Sequence, residues 1–218
     1  MSKIENLGVI IVAGGNSSRF GKEDKLLINI GNMPMIARST KAFTDIVPTE
    51  NIVVVTSAGR ELELQAIIES HLGFKVKTVT GGTNRSDSSL NGLKALSHLE
   101  YAAVHDAARP FILPDTVKAC YDSLKSLGSA VLARPVTDTI KVVNSKKKVL
   151  STPPRATLYA AETPQMFKTQ ALIQAYESSP EDGSVTDEAM AMEIAGHEVF
   201  LFLHNDDNRK ITYSSDLK

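Results

Sequence analysis

The stretch LGVIIVAGG at Leu7–Gly15 decides the fold. Its first part, Leu7–Ala13, is a short run of apolar and small residues, which is typical of a strand buried on both faces of a sheet. The glycine-rich segment Gly14–Gly21 follows, and glycine allows the backbone to turn sharply at the end of the strand. A buried strand that leads into such a turn favours a parallel α/β sheet.

Outward from this strand, short β-branched runs alternate with amphipathic stretches. Further strands are predicted at Asn51–Thr56, Val76–Val79, Tyr101–His105, Ala130–Ala133 and His197–Leu203. Helices are predicted at Met35–Phe43, Glu61–Leu72, Ser86–Leu99, Asp115–Leu127, Thr169–Ser178 and Thr186–Ala195. The alternation predicts an α/β fold of three layers, in which helices cover both faces of a mainly parallel, twisted sheet.

Residues 135–160 break this alternation. They contain the alternating pair Ile140 and Val142, the basic run Lys146–Lys148, and then two adjacent prolines. The pattern predicts a β-hairpin that projects from the sheet, with the lysines in a solvated turn at its tip. Since 218 residues correspond to little more than one domain of about 150 residues, we expect a single domain over residues 1–218 with an arm at about 135–160.

The composition excludes several classes of protein. The chain has 24 Lys and Arg against 25 Asp and Glu, so it lacks the positive surplus of a general nucleic-acid or membrane-surface binder. Its single cysteine, Cys120, excludes an internal disulfide framework. No apolar stretch approaches the length of about 18 residues that a membrane span needs, and Glu5 argues against a signal peptide. We therefore expect a cytoplasmic protein without nucleic-acid or membrane partners.

The segments that follow the strands hold the candidate site, because ligands of an open parallel sheet bind at the carboxyl ends of its strands. After the first strand, glycines can direct several backbone N–H groups at one anion, and Arg19 and Lys25 add positive charge. This combination suits a triphosphate. The spacing of these residues fits neither a Walker A loop nor the Gly-x-Gly-x-x-Gly dinucleotide motif.

Two later segments place a carboxylate beside a cation. Asp106 and Arg109 follow the strand at Tyr101–His105, and Asp207 and Lys210 follow the last predicted strand. An aspartate at a strand end is a natural Mg²⁺ ligand beside phosphate groups, although Asp106 and Arg109 alone could also form a structural ion pair. The residues together indicate a nucleotide, Mg²⁺ and a second phosphorylated substrate.

The segment from Gly81 to Ser88 is rich in hydrogen-bond donors and acceptors and leads into a predicted helix. Its residues could contact a nucleotide, and they could equally serve only to cap the helix. The five histidines never occur at zinc-ligand spacing, so a zinc site is not expected.

Seven motifs occur in the order in which one enzyme family has them. They are Ala13-Gly14-Gly15 with Arg19 and Lys25, Gly81-Gly82 with Arg85 and Ser88, Val104–Pro110 (VHDAARP), Asp138-Thr139, Thr163-Pro164-Gln165, Thr186-Asp187-Glu188, and Asp207–Lys210 (DNRK). Through these motifs the chain resembles the 2-C-methyl-D-erythritol 4-phosphate cytidylyltransferases of the non-mevalonate isoprenoid pathway, which have a Rossmann-like nucleotidyltransferase fold. The resemblance extends from about Val9 to Thr212, and VHDAARP is its most specific part.

The resemblance implies transfer of a cytidylyl group from CTP to the polyol phosphate 2-C-methyl-D-erythritol 4-phosphate, with release of pyrophosphate. It implies catalytic roles for Arg19, Lys25, Arg155 and Lys210, and nucleotide binding by Ala13, Gly14, Gly15, Gly82, Arg85 and Ser88. It implies substrate binding by Asp106, Arg109, Thr139, Arg155, Thr186 and Lys210, and Mg²⁺ binding by Asp106 and Asp207. The family exchanges its arm between two subunits, so Thr139 and Arg155 would serve the partner's site in a homodimer.

The first loop departs from the usual family pattern. Ser17 stands near the place of a further glycine, and Asp24-Lys25-Leu26 stands where Pro-Lys-Gln is common. The sequence Asp-Lys-Leu-Leu also resembles that of the molybdopterin nucleotidyltransferases. Two alternatives to the activity named above are a ribitol 5-phosphate cytidylyltransferase, which shares the sheet and the arm, and a non-catalytic nucleotide-binding regulator. The presence of Arg19, Lys25 and Lys210 argues against the regulator.

Overall fold

The structure is a computed structural model that describes residues 2–14, 20, 24–180 and 182–217. The strands of these residues are β1 (Leu7–Val12), β2 (Asn29–Ile30), β3 (Met33–Pro34), β4 (Ile52–Thr56), β5 (Lys77–Thr80), β6 (Tyr101–Asp106), β7 (Ser129–Pro135), β8 (Val142–Val143), β9 (Val149–Ser151), β10 (Tyr159–Lys168) and β11 (Leu201–Leu203). The α-helices are α1 (Met35–Thr44), α2 (Glu61–Leu72), α3 (Arg85–Ala95), α4 (Pro114–Leu127), α5 (Thr169–Glu177) and α6 (Glu188–Ile194).

The main sheet has seven strands in the order β11-β7-β10-β6-β1-β4-β5. Strand β1 pairs in parallel with β4 and β6, and the pairs β4–β5 and β7–β11 are also parallel. Strand β10 is antiparallel to both of its neighbours, β6 and β7. The predicted mainly parallel sheet is therefore confirmed, with one antiparallel strand in its interior.

Strand β10 is an element that the sequence analysis did not predict. Its segment Glu162–Gln165 contains buried polar side chains and a proline, and the register with β7 shifts between Ala161 and Gln165. Proline and polar residues interrupt the apolar pattern by which strands are recognised. The short hairpin β2–β3 was likewise not predicted.

Several elements are shorter in the structure than the sequence predicts. The helix predicted at Ser86–Leu99 ends at Ala95, and the strand predicted at His197–Leu203 is confined to β11. The helix predicted at Thr186–Ala195 begins only at Glu188, because the side chain of Asp187 accepts a hydrogen bond from the backbone N–H of Met190 and so forms the N-cap.

The sheet separates two apolar clusters, which confirms the three-layer architecture. On β1, Ile11 packs into the cluster with α1, α2 and α4, whereas Ile10 packs into the cluster with α3, α5 and α6. Helix α3 approaches the sheet closely at Gly92, where a Cβ atom would lie 2.4 Å from the Cγ2 atom of Ile10. This contact fixes α3 over β1, so the N-terminus of the helix lies near the carboxyl ends of the strands.

Strands β8 and β9 form a separate two-stranded antiparallel sheet in the predicted arm region. The side chain of Asn144 accepts hydrogen bonds from the backbone N–H groups of Lys146 and Lys148, which closes the turn. All residues of the two strands are exposed. Within the described part of the chain, no helix has the length and apolar character required to cross a membrane.

Candidate active site

A cavity of about 470 Å³ lies where β1, β4, β5 and β6 end. Its walls come from the segments that follow these strands and from two lysine-containing segments. The lining residues are Val12, Ala13, Gly14, Lys25, Leu26, Thr56, Ser57, Ala58, Gly81, Gly82, Thr83, Asn84, Arg85, Ser88, Asp106, Ala108 and Lys210. The cavity therefore occupies the edge of the sheet at which a ligand was expected.

Asp106, the last residue of β6, is the charge centre of the cavity. Its Oδ2 atom lies 2.6 Å from Nζ of Lys210, and its Oδ1 atom lies 3.3 Å from Nη2 of Arg85. Burial opposes the charged form, but attraction to Arg85 and Lys210 outweighs it and holds the pKa of the Asp106 carboxyl well below its usual range. The group is therefore an ionised carboxylate at neutral pH.

Glu188 holds Arg85 in place from behind the cavity. The Nη1 and Nη2 atoms of Arg85 donate to the two carboxylate oxygens of Glu188, at 2.8 Å and 3.0 Å. Glu188 is fully buried and also accepts hydrogen bonds from the hydroxyl groups of Ser89 and Tyr176. Although burial alone lowers the pKa of Arg85, attraction to Glu188 and Asp106 raises it above its usual value. A guanidinium held by two oxygens has one orientation, so Glu188 directs Arg85 at Asp106.

Strand β10 supports the site from its other side. The Oγ1 atom of Thr163 accepts a 3.0 Å hydrogen bond from the backbone N–H of Asp106. Gln165 joins β10 to the N-terminus of α6, because its Oε1 atom accepts from the backbone N–H of Ala189 and its Nε2 atom donates to Asp187. Glu188 and Gln165 belong to two of the seven motifs, but the sequence predicts no role for either residue.

The segment from Gly81 to Ser88 both caps α3 and lines the cavity. The Asn84 side chain accepts from the backbone N–H of Asp87 at 2.8 Å, and the Ser88 Oγ atom accepts from the backbone N–H of Gly82 at 3.1 Å. A Cβ atom on Gly82 would lie 2.0 Å from the Cβ atom of Asp87, so this close approach requires glycine. The segment can therefore both cap the helix and contact a ligand in the cavity.

The structure brings together eight of the predicted site residues on the cavity walls. They are Ala13, Gly14, Lys25, Gly82, Arg85, Ser88, Asp106 and Lys210. Two more, Gly15 and Arg19, lie outside the residues that the structure describes.

Arg109, Asp207 and Thr186 do not line the cavity. Arg109 is buried behind Asp106, and its Nη1 atom donates to the backbone carbonyl of Asn208 at 2.8 Å. Asp207 forms an ion pair of 3.0 Å with Arg209 and lines a different cavity from the one that Asp106 lines. Thr186 is exposed just before α6.

Thr139 and Arg155 lie in the arm region and are exposed. The Nη1 atom of Arg155 donates to the backbone carbonyl of Thr137 at 2.6 Å. Neither residue lines the cavity of its own chain. The predicted role of both residues in the site of a partner subunit is therefore not tested by the single chain.

Asp106 is the carboxylate through which this cavity could hold a cation. Among the residues lining it, no other carboxylate occurs, and the described residues contain no group of three or more His, Cys, Asp or Glu that could hold a metal ion. Mg²⁺ is commonly bound by one or two carboxylates together with substrate phosphates and water. The residues present therefore fit a metal held jointly with a triphosphate.

The architecture and this cationic cavity define a nucleotidyltransferase. The chain belongs to the 2-C-methyl-D-erythritol 4-phosphate cytidylyltransferase family, whose family model matches residues 7–218. The resemblance identified from the motifs is thereby confirmed.

Individual relatives agree with this assignment over nearly their whole length. The family member of Alkaliphilus oremlandii is 36% identical over 222 residues, which cover 100% of this chain and 94% of the relative. The family member of Dictyoglomus thermophilum is 40% identical, and the match covers 98% of this chain and 94% of the relative. Among solved structures, the enzyme of Francisella tularensis matches with a TM-score of 0.80 and 27% identity, covering 97% of this chain and 96% of that one. The enzyme of Thermus thermophilus matches with a TM-score of 0.78 and 27% identity, covering 96% and 94%.

Proposed function

We propose that this protein transfers the cytidylyl group of CTP to 2-C-methyl-D-erythritol 4-phosphate in the non-mevalonate route to isoprenoid precursors. The products would be 4-diphosphocytidyl-2-C-methyl-D-erythritol and pyrophosphate. One observation carries the proposal: Arg85 and Lys210 pair with the buried Asp106, and Lys25 lines the same cavity at the strand ends of a chain that belongs to this family.

The chemistry is an in-line displacement at phosphorus. A phosphate oxygen of the polyol phosphate attacks the α-phosphorus of CTP, and the bond from that phosphorus to the bridging oxygen breaks as pyrophosphate leaves. Such a reaction needs positioning and charge neutralisation more than an acid–base pair. Lys25 and Lys210 are assigned to the negative charge of the pentavalent transition state, because cations held in position stabilise the charge that develops on the phosphate oxygens.

The nucleotide is assigned to the walls formed by Ala13, Gly14, Gly82 and Ser88. Small residues on these walls let the backbone approach the ligand closely. Arg85 would contribute its charge at the same wall. Gly15 and Arg19 are assigned to the triphosphate on the resemblance of their motif alone, and these roles remain predictions.

The polyol phosphate is assigned to the neighbourhood of Asp106 and Lys210. The ammonium group suits the substrate phosphate, and the carboxylate suits a polyol hydroxyl group. Arg109 and Thr186 are retained as predicted contacts. Arg109 would have to give up its bond to the carbonyl of Asn208 in order to reach a substrate.

Mg²⁺ is proposed as the cofactor, held by Asp106 together with the triphosphate. When bound, it would draw charge from the phosphate oxygens. The predicted ligand role of Asp207 has no support from its position beside Arg209. We expect Asp106→Asn to raise the Mg²⁺ concentration needed for half-maximal turnover, with Asp207→Asn as the matched control. An unchanged Mg²⁺ dependence of Asp106→Asn would contradict the assignment.

A homodimer formed through the arm is proposed from an exposed apolar surface. Its residues are Ile140, Val142, Val143, Val149, Leu150 and Tyr159 of the arm region and Leu201 and Leu203 of the edge strand β11. Exposed apolar side chains and a sheet edge are typical of protein–protein contacts. The occupant would be a second copy, whose cavity would receive Thr139 and Arg155. A cytoplasmic location and the absence of nucleic-acid or membrane partners are proposed with it, in keeping with the net charge of −1.

The decisive experiment measures pyrophosphate release from four nucleoside triphosphates, each combined with 2-C-methyl-D-erythritol 4-phosphate or ribitol 5-phosphate. We expect efficient release only from CTP with the methylerythritol phosphate. Release with ribitol 5-phosphate alone would assign the protein to the alternative cytidylyltransferase, and binding of CTP without release in any combination would favour the non-catalytic regulator.

A further inference from the structure

Asp24 places a negative charge directly before Lys25, and the structure shows how that carboxylate is held. Its Oδ1 atom accepts a 3.0 Å hydrogen bond from the backbone N–H of Leu26, which caps the single 3₁₀ turn Lys25–Leu27. Its Oδ2 atom forms an ion pair with the guanidinium of Arg60. Both oxygens of the carboxylate therefore have a partner, and one partner comes from a different wall of the cavity.

The backbone of Arg60 is anchored on that other wall. Its N–H donates to the carbonyl of Ser57 at 3.2 Å, and its carbonyl accepts from the N–H of Leu64 in the first turn of α2. The Nε atom also donates to Glu63 at 2.8 Å, which limits the directions in which the guanidinium can point. These bonds hold the backbone of Arg60 in place, shortly after the cavity-lining residue Ser57 in the chain.

The ion pair between Asp24 and Arg60 therefore joins two cavity walls. One wall carries Lys25 and Leu26, and the other follows β4. We propose that Arg60 is a positioning residue for Lys25. It holds the turn that carries Lys25 against the β4 side of the cavity, and it neutralises the carboxylate of Asp24, the residue that directly precedes Lys25. The inference rests on the proposed function, in which Lys25 stabilises the transition state.

The expected effect is on turnover more than on folding. The side chains of Arg60 and Asp24 are 29% and 26% exposed, and partly exposed ion pairs contribute little to stability. Loss of Arg60 leaves an uncompensated charge on Asp24, one position before Lys25 in the chain, which weakens the positive potential that the triphosphate meets. Arg60 is not among the residues that line the cavity, so its effect must pass through Asp24 and Lys25.

The test is a double-mutant cycle on Arg60 and Asp24 with pyrophosphate release as the measurement. We expect Arg60→Gln to lower kcat about fivefold, with little change in the KM for the polyol phosphate. We expect Asp24→Asn in that background to cause no further loss, because the asparagine oxygen can still accept from Leu26 and no bare carboxylate remains. Arg60→Lys should recover most of the activity, since it restores the charge.

Two exposed ion-pair residues provide matched controls. Glu63→Gln removes the charge of the other partner of Arg60 but keeps an oxygen that can accept from its Nε atom and leaves Asp24 paired, and Lys94→Gln removes a 2.8 Å pair with Glu177 at the far end of α3. Both variants should keep the wild-type kcat. Circular dichroism and thermal unfolding establish that every variant is folded.

Lys25→Ala, measured in the same assay, separates failure of this inference from failure of the proposed function. If Lys25→Ala loses activity at least about 100-fold while Arg60→Gln stays within twofold of the wild type, the role of Arg60 is overturned and that of Lys25 stands. Where Asp24→Asn alone lowers kcat at least about twofold, a loss in the double variant equal to the product of the two single losses also overturns it. Full activity in Lys25→Ala would instead refute the catalytic role on which the inference rests.

Discussion

The cavity and the arm differ in how their side chains find partners. In the cavity, the Asp106 carboxylate is 11% exposed and pairs with Lys210 and Arg85 of the same chain. In the arm, Val142 and Val149 are 44% and 51% exposed, and neither belongs to an apolar cluster of the described residues. The Asp106 carboxylate thus finds its partners within one chain, whereas the exposed apolar side chains of the arm support the proposed contact with a second copy.

The largest expected effect is on the cavity side of this comparison. Lys210→Ala should lower kcat at least about 100-fold, because it removes a cation assigned to the transition state and leaves Asp106 with less compensation. The measurement is steady-state pyrophosphate release. Lys125→Ala, which removes a surface ion pair with Asp122, is the control and should leave kcat unchanged. A loss of less than about threefold in Lys210→Ala would contradict its assigned role.

A second prediction uses the histidine behind the cavity. His105 is fully buried, and desolvation lowers the pKa of its ring to about 4. Its Nε2 atom lies 3.0 Å from the carbonyl of Arg109, and its Nδ1 atom lies 3.2 Å from Oγ1 of Thr163. A neutral ring with its proton on Nε2 satisfies both contacts.

The unfolded chain therefore binds a proton at His105 near pH 6.5, and the folded chain binds it only near pH 4. Stability from this group is present above pH 6.5 and falls as the pH decreases towards 4, by at most about 3 kcal/mol. Urea unfolding at several pH values measures the slope of the free energy of unfolding against pH. A His105→Asn variant should be less stable at pH 7 and should show a smaller slope, and an identical slope in both proteins would contradict the prediction.

A smaller effect is expected from the arm residue that is assigned to the partner's site. Arg155→Ala should raise the KM for the polyol phosphate about tenfold and change kcat little, which corresponds to the loss of one charge-assisted hydrogen bond. Lys141→Ala is the control, because Lys141 is a cation of the same arm region whose Nζ atom donates to the hydroxyl group of Thr152. An unaltered KM in Arg155→Ala would remove this residue from the site.

The arm itself can be tested at its apolar face and at its tip. A Val142→Asp and Leu150→Asp double variant should convert the dimer to a monomer in sedimentation analysis, since burying two carboxylates in an apolar contact is costly. Replacement of Lys146–Lys148 by alanine should change neither the oligomeric state seen in sedimentation analysis nor the activity, because these residues form a solvated turn. A wild-type monomer would refute the proposed contact.

Sequence patterns and the structure agree best where the signal is local. The strand β1 and the helix α2 lie where their apolar spacing predicts them, because hydrophobic periodicity depends only on near neighbours. Strand β10 escaped prediction because its segment Glu162–Gln165 is buried but polar: its polar side chains accept hydrogen bonds from Asn208, Asp106 and Ala189 instead of packing in an apolar core. Polar positioning residues carry no periodic signal.

The sequence alone determined the α/β class, the segments that follow the strands and, through its motifs, the family. Only the tertiary structure decided which charges meet. Lys210 contacts Asp106 across 104 positions, and Glu188 contacts Arg85 across 103. It placed Asp207 and Asp106 on different cavities and joined Arg60 to Asp24. The physical reason is that ion pairs form between side chains close in space, and the order of strands in the sheet, which no local pattern specifies, sets those distances.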